Sequence, residues 1–194
     1  MNSRTSGEKL RTILQQAARL IFQKGFDGTS MQDIADACGM TKAGLYHHIA
    51  TKEALLLSIM HYGMDLFEER VLAPVQDIGD PLARLRATMA NNVQLVTEDE
   101  TKEVTIILHE HQTLTGAAQQ EINARKKQYV QFLQRTIQEG IDRGQLRKVD
   151  PTIAAFSFLG TVLWTYKWWR SDGKLSGKQL SDGIADLFFD GLVI

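Results

Sequence analysis

Within TKAGLYHHIATK, residues 41–52, Lys42, Tyr46 and His47 are hydrogen-bond donors grouped within six residues. Between them lie Ala43 and Gly44, which leave room for a polymer backbone or a base edge to approach. On a helix, Leu45 and Ile49 would face the opposite way, into a core. Thr29, Ser30 and Lys52 stand at predicted helix starts, where free backbone amides favour a phosphate oxygen. The chemistry on offer is therefore recognition of a polyanion. Reactive alternatives are poorly assembled. Cys38 is the single cysteine and falls inside a predicted apolar helix. His61 and the run His109-Glu110-His111 offer metal-binding atoms. Residues two apart on a helix point to different faces, however, so one ion cannot easily take both histidines of the run. No nucleophile-base pattern is present, so an enzyme, a metal site and a cofactor are not expected.

These side chains need two short helices to place them. Met31, Ile34 and Ala35 share one face of a helix predicted over 30–38. Gly39 stands at its end, where a left-handed residue is needed. Thr41 caps a second helix and Thr51 a third. Two helices of about two turns joined by a glycine turn make a helix-turn-helix, whose second helix enters the DNA major groove. In that arrangement Thr29, Ser30, Tyr46, His47 and Lys52 hold phosphates, and Lys42, Ala43 and Gly44 lie nearest the bases. Taken alone, the same residues also suit a core hairpin with Tyr46 and the histidines partly buried.

The rest of the chain reads as helical. Three prolines in 194 residues and few alternating runs argue against sheet. Polar residues 1–7 are expected to be mobile, followed by a helix over 8–24 with Leu10, Ile13, Leu14, Ala17, Leu20 and Ile21 inward. Further helices are predicted over 51–72, 81–96, 102–111, 117–143, 151–169 and 178–192. Asp80-Pro81 and Asp150-Pro151 each supply a cap followed by proline in the first turn. The 151–169 segment is apolar nearly all round, yet Thr152, Ser157, Thr161, Thr165 and Lys167 interrupt it. It suits burial on two sides better than a membrane. Residues 1–52 carry seven Lys/Arg against four acids, and the remainder fifteen against nineteen. A basic end on an acidic body orients a molecule toward phosphate. The N-terminus MNSRTSGEKL has no apolar signal region and one cysteine allows no intramolecular disulfide, so a cytoplasmic location is expected.

The pattern TS…DIA…CGMTKAGLYHHIATKEAL, within Glu8 to Leu57, resembles the DNA-binding domain of TetR-family transcriptional repressors. Ile49 stands where the family usually has Phe, and Cys38 where it usually has Ala. The resemblance implies an all-α fold, with an N-terminal three-helix helix-turn-helix domain (1–52) and a C-terminal helical domain (53–194) for ligand binding and dimerisation. It implies a homodimer, formed by the last two long helices, on a palindromic double-stranded operator. It also implies a small-molecule pocket in the body, whose ligand releases the DNA. Met89, Val93, Ile107, Tyr129, Phe132, Phe158, Val162 and Trp164 are the candidates to line it, though an ordinary helical core needs such residues too.

Leu159 to Leu192, LGTVLWTYKWWRSDGKLSGKQLSDGIADLFFDGL, resembles the C-terminal segment of a TetR branch that controls fatty-acid and steroid catabolism. Here Trp169 replaces a Tyr of that pattern. Members of the branch respond to acyl-CoA-type thioesters, which implies such a ligand here. Arg125, Lys126, Lys127, Lys167 or Arg170 would then meet its phosphates, although a solvated face explains those charges as well. Two alternatives stay open: a TetR-like regulator of an efflux or stress operon that senses an unrelated hydrophobic compound, and a helical interaction protein that binds no DNA.

Overall fold

A computed structural model describes residues 3–97, 102–110 and 113–190, and among them all regular structure is helical. The first helix, α1 (Ser3–Lys24), begins five residues before the predicted start. The polar 3–7 segment thus extends the helix, at one backbone bond per added residue. Gly25, at φ 75°, ends α1 and donates its N–H to Ile21 O at 2.8 Å. α2 (Met31–Ala37) and α3 (Lys42–Tyr46) follow, with Gly39 at φ 64° turning the chain between them. Each start is capped as its sequence requires. Asp33 N–H donates to Ser30 Oγ at 3.1 Å and Ser30 N–H to Asp33 Oδ2 at 2.8 Å, a reciprocal capping box. Gly44 N–H donates to Thr41 Oγ1, and Ala54 N–H to Thr51 Oγ1, both at 3.0 Å.

α4 (Lys52–Phe67) was expected to reach Leu72 as one α-helix. Its winding does continue to Leu72, but residues 68–72 form a wider π-helical turn, closed by a short 3-10 turn at Ala73–Val75. α5 (Pro81–Thr97), α6 (Lys102–His109) and α7 (Gly116–Asp142) come next. Asp80 caps α5 through Ala83 N–H at 2.8 Å, and Asp150 caps α8 (Pro151–Leu163) through Thr152 N–H at 2.7 Å. The single helix expected over 151–169 is interrupted at Trp164. α9 (Thr165–Trp168) resumes after the break, with the Thr165 hydroxyl turned back onto Val162 O at 2.7 Å. α10 (Gly177–Asp190) is the last, and residues 191 and 192 of the predicted helix lie outside the described residues.

The chain packs as two compact units, Met1–Leu66 with Glu100–Ile122, and Phe67–Asp99 with Asn123–Ile194. In the first, the inner faces of α1, α2, α3 and α4 share one core with α6 and the start of α7, including Ile13, Ala17, Ile34, Leu45, Leu56 and Ile106. α1 packs along α6, and α2 against α3. Gly63 lets α4 and α6 touch, since a Cβ there would lie 2.7 Å from Glu103 O. In the second unit α5 is the central strut, packed against α8, α9 and α10. Phe158 and Phe189 are fully buried there. This division by packing differs from the division by task at residue 52. α4 up to Leu66, α6 and the start of α7 pack with the helix-turn-helix. No described helix is long and apolar enough to cross a membrane.

Candidate nucleic-acid interface and ligand-binding residues

The helix-turn-helix is held from beneath and leaves a polar outer face. Leu45 and Ile49 are buried, while Lys42, Ala43, Tyr46 and His47 are exposed together on and just after α3. Ser30 is exposed at the start of α2. Gly44 is half-buried, and its size has a local cause as well as the proposed steric one. A Cβ there would sit 3.2 Å from Thr41 Oγ1, against the cap of its own helix.

Two expected phosphate contacts are placed differently. Thr29 is buried, its N–H donates to Phe26 O at 3.1 Å, and its hydroxyl donates to Gly25 O at 2.9 Å. It therefore builds the turn before α2, and its hydroxyl proton is spent inside the protein. Lys52 is half-buried, with Nζ 4.3 Å from the centre of the Phe26 ring. That cation–π contact fixes the amine at the base of the domain.

The ionised Asp33 is strongly favoured. The Ser30 hydroxyl and N–H and the nearby Lys24 amine, at 3.3 Å, pull its pKa down to about 2. Burial raises the Cys38 thiol pKa, as suits a small core residue. Glu110, which the sequence offered only as part of a metal-like run, has a different task. Its Oε1 accepts the Phe26 N–H at 3.2 Å and its Oε2 the Thr113 hydroxyl at 2.8 Å. Nothing in the local sequence marks that contact, which joins residues 84 apart. His61 faces Glu121 at 3.4 Å. His111 lies outside the described residues, and among those described no three His, Cys, Asp or Glu cluster as metal ligands do.

Of the pocket candidates, Met89, Val93, Tyr129, Phe158 and Val162 are buried in the second unit, and Phe132 is half-buried there. Phe67 meets Tyr129 edge-on at 4.6 Å, and Phe132 stacks beside it at 6.4 Å. Ile107 belongs to the core of the first unit. Trp164, at the break between α8 and α9, is 63% exposed, so the structure does not bring it into that interior. A residue that sequence reasoning missed is Asn92. Fully buried, it donates Nδ2 to Tyr129 Oη at 2.6 Å and to Thr88 O at 3.1 Å. A cleft of about 320 Å³ on the second unit is lined by Arg70, Asn91, Gln94 and Leu95, none of them a predicted pocket residue.

The candidate phosphate-binding cations are variously engaged. Arg125 pairs with Glu68 at 2.8 Å, and Arg170 forks onto Asp172 with two bonds of 2.9 Å. Lys167 Nζ lies 5.1 Å from the Tyr166 ring centre. Burial lowers the Lys126 pKa, while Lys127 is exposed.

A second surface stands out by its apolarity. Ile153 and Phe156 on α8 and Trp164 just beyond its end are exposed at helical spacing, with Gly160 open between them. Trp168 on α9 and Leu187 on α10 are also exposed, Leu187 to 82%.

Residues 13–59 match the family model for bacterial regulatory proteins of the tetR family, and residues 79–192 match that for the tetracyclin repressor-like C-terminal domain. A crystal structure of AibR in complex with isovaleryl coenzyme A and operator DNA is 58% identical. The match covers 92% of this chain and 97% of that one, with a TM-score of 0.89. The HTH-type transcriptional repressor KstR2 of Mycobacterium tuberculosis (strain ATCC 25618 / H37Rv) is 25% identical over 182 residues, 93% of this chain and 90% of its own. Its structure superposes with a TM-score of 0.87. The fatty acid metabolism regulator protein of Bacillus subtilis (strain 168) is 24% identical over 186 residues, 95% of each chain.

Proposed function

The chain belongs to the TetR family of DNA-binding transcriptional repressors, and from that premise we propose that it is a homodimer whose hold on a palindromic operator is released by an acyl-CoA thioester. The observation that carries this reading is the 58% identity, across nearly the whole of both chains, with a protein that binds isovaleryl coenzyme A and operator DNA. Residues 1–52 would serve DNA and 53–194 the ligand and the dimer, in a cytoplasmic protein.

Lys42, Ala43 and Gly44 at the exposed start of α3 approach base edges. Tyr46 and His47 meet phosphates beside them, while Ser30, whose N–H and hydroxyl both donate to Asp33, serves as the cap of α2. Thr29 and Lys52 act from behind, by shaping the turn and bracing the Phe26 ring. The exposed Ile153, Phe156 and Trp164, with the exposed Leu187 on α10, support dimerisation, because a chain alone in water seldom leaves so many large apolar side chains uncovered. A dimer presents two reading helices and multiplies the contact of one.

Release requires that the ligand bind the DNA-incompetent form more tightly, and the coupling is then reciprocal. α4, whose residues belong to both units, carries the change between the two tasks. Calorimetric titration with acyl-CoAs of increasing chain length tests the ligand class. Saturable binding of short-chain members supports it, and no binding at any length rejects it.

A further inference from the structure

The interior of the second unit contains a polar pair whose bonding is incomplete. Asn92 Nδ2 faces Thr88 O at 3.1 Å. A carbonyl oxygen only accepts, so the Asn92 atom beside it must be the NH₂ group, which settles the orientation of the side-chain amide. The same NH₂ donates to Tyr129 Oη at 2.6 Å. Tyr129 therefore accepts from Asn92, and among the described residues no acceptor receives its own hydroxyl proton. Asn92 Oδ1, also buried, has no partner among them either. The pair thus holds one spare donor and one spare acceptor, enclosed by the Phe67 and Phe132 rings, with Met89 one turn before Asn92 on α5. Unmatched polar atoms in such surroundings are costly unless something binds them. Burial holds the phenol well above its ordinary titration range, so it remains a donor at neutral pH.

Resting on the acyl-CoA reading above, we infer that Tyr129 is the residue that recognises the ligand's thioester, its hydroxyl donating to the acyl carbonyl oxygen while Asn92 orients it. The acyl chain then lies among the aromatic rings and Met89. The spare acceptor, Asn92 Oδ1, suits the amide N–H that coenzyme A carries a few atoms beyond its sulfur. Asn92 is a positioning residue in this scheme: by filling the phenolic oxygen's lone pair from one side, and being held itself by Thr88 O, it turns the hydroxyl proton toward the ligand.

The test compares isovaleryl-CoA with the matching thioether, S-isopentyl-CoA, which keeps the chain, the sulfur and the nucleotide but lacks the carbonyl. Wild-type protein should bind the thioester about ten-fold more tightly, the worth of one buried hydrogen bond. Tyr129→Phe, which removes a single oxygen, should bind both equally, at the thioether's affinity. If Tyr129→Phe keeps the ten-fold preference, or if wild type shows none, the inference is overturned and the pair serves packing or a buried water. The wild-type comparison needs no mutant, so it stands even if the variant folds poorly. If neither compound binds wild type at all, the acyl-CoA reading itself has failed, a different outcome from equal binding.

Discussion

Glu110 accepts a hydrogen bond from the backbone N–H of Phe26, at 3.2 Å, across 84 residues of sequence. Phe26 follows the left-handed Gly25 that ends α1, and its ring carries the Lys52 amine. One carboxylate just beyond α6 thus pins the entry to the helix-turn-helix. Replacing it with alanine leaves the Phe26 N–H and the Thr113 hydroxyl without their acceptor. Glu110→Ala should destabilise the protein by about 1–2 kcal/mol, and Glu110→Gln by less, because its amide oxygen still accepts. Denaturant unfolding of the three proteins measures this. Equal stability of Glu110→Ala and wild type would show the contact to be dispensable.

The Ser30–Asp33 capping box predicts an acid-sensitive α2. The Asp33 pKa is lowered from 3.8 to about 2 in the folded protein. The unfolded chain therefore binds a proton more readily, and stability rises with pH across that window. The contribution is complete above about pH 4 and is lost as pH falls toward 2. Asp33→Asn should flatten that part of the stability–pH curve while leaving the rest unchanged. Thermal melts from pH 2 to 6 would reveal the difference, and parallel curves would refute it.

At Gly63 the backbones of α4 and α6 are in contact, with no room for a methyl group. Gly63→Ala must push Glu103 and the Ile107 side chain away, at a cost of about 1–3 kcal/mol, despite alanine's better helix propensity. A melting temperature at or above wild type would mean that the two helices separate freely.

The apolar line on α8 and α10 makes a prediction about assembly. Ile153 and Leu187 are 69% and 82% exposed. A charge at either position costs the single chain little but is buried unpaired in a dimer. Ile153→Glu and Leu187→Glu should yield folded monomers by sedimentation, with operator affinity reduced at least ten-fold. Dimers of normal stability would place the interface elsewhere.

Local signals in the sequence were followed closely by the chain. Thr41, Thr51, Asp80 and Asp150 cap helices as their types require, and Gly39 takes the left-handed turn. Capping and turning depend on a few neighbouring residues, which is why these features were readable. The exposed donors of α3 were readable for the same reason, since Leu45 and Ile49 mark the opposite face. What escaped depends on the partner each side chain meets in the folded chain, whether near or far in sequence. A helix start suggests a backbone amide at Thr29 free for a phosphate, but the Thr29 N–H donates to Phe26 O and its hydroxyl to Gly25 O. Lys52 is drawn onto Phe26, 26 positions away. The Asn92–Tyr129 bond spans 37 residues, and Asn92 sat unnoticed among the apolar positions of α5. The wide turn at 68–72 and the break at Trp164 carry no proline or glycine to announce them.

An acyl-CoA thioester is proposed to loosen this protein's grip on DNA. An operator is first selected from random fragments. Fluorescence anisotropy of the labelled duplex, saturated with protein and titrated with isovaleryl-CoA, measures that release. A saturable fall in anisotropy is expected, with free coenzyme A at the same concentrations much weaker. Lys42→Ala should fail to load the duplex while remaining a dimer. An operator complex that stays intact under saturating isovaleryl-CoA, or tightens, would show that the thioester does not release the DNA.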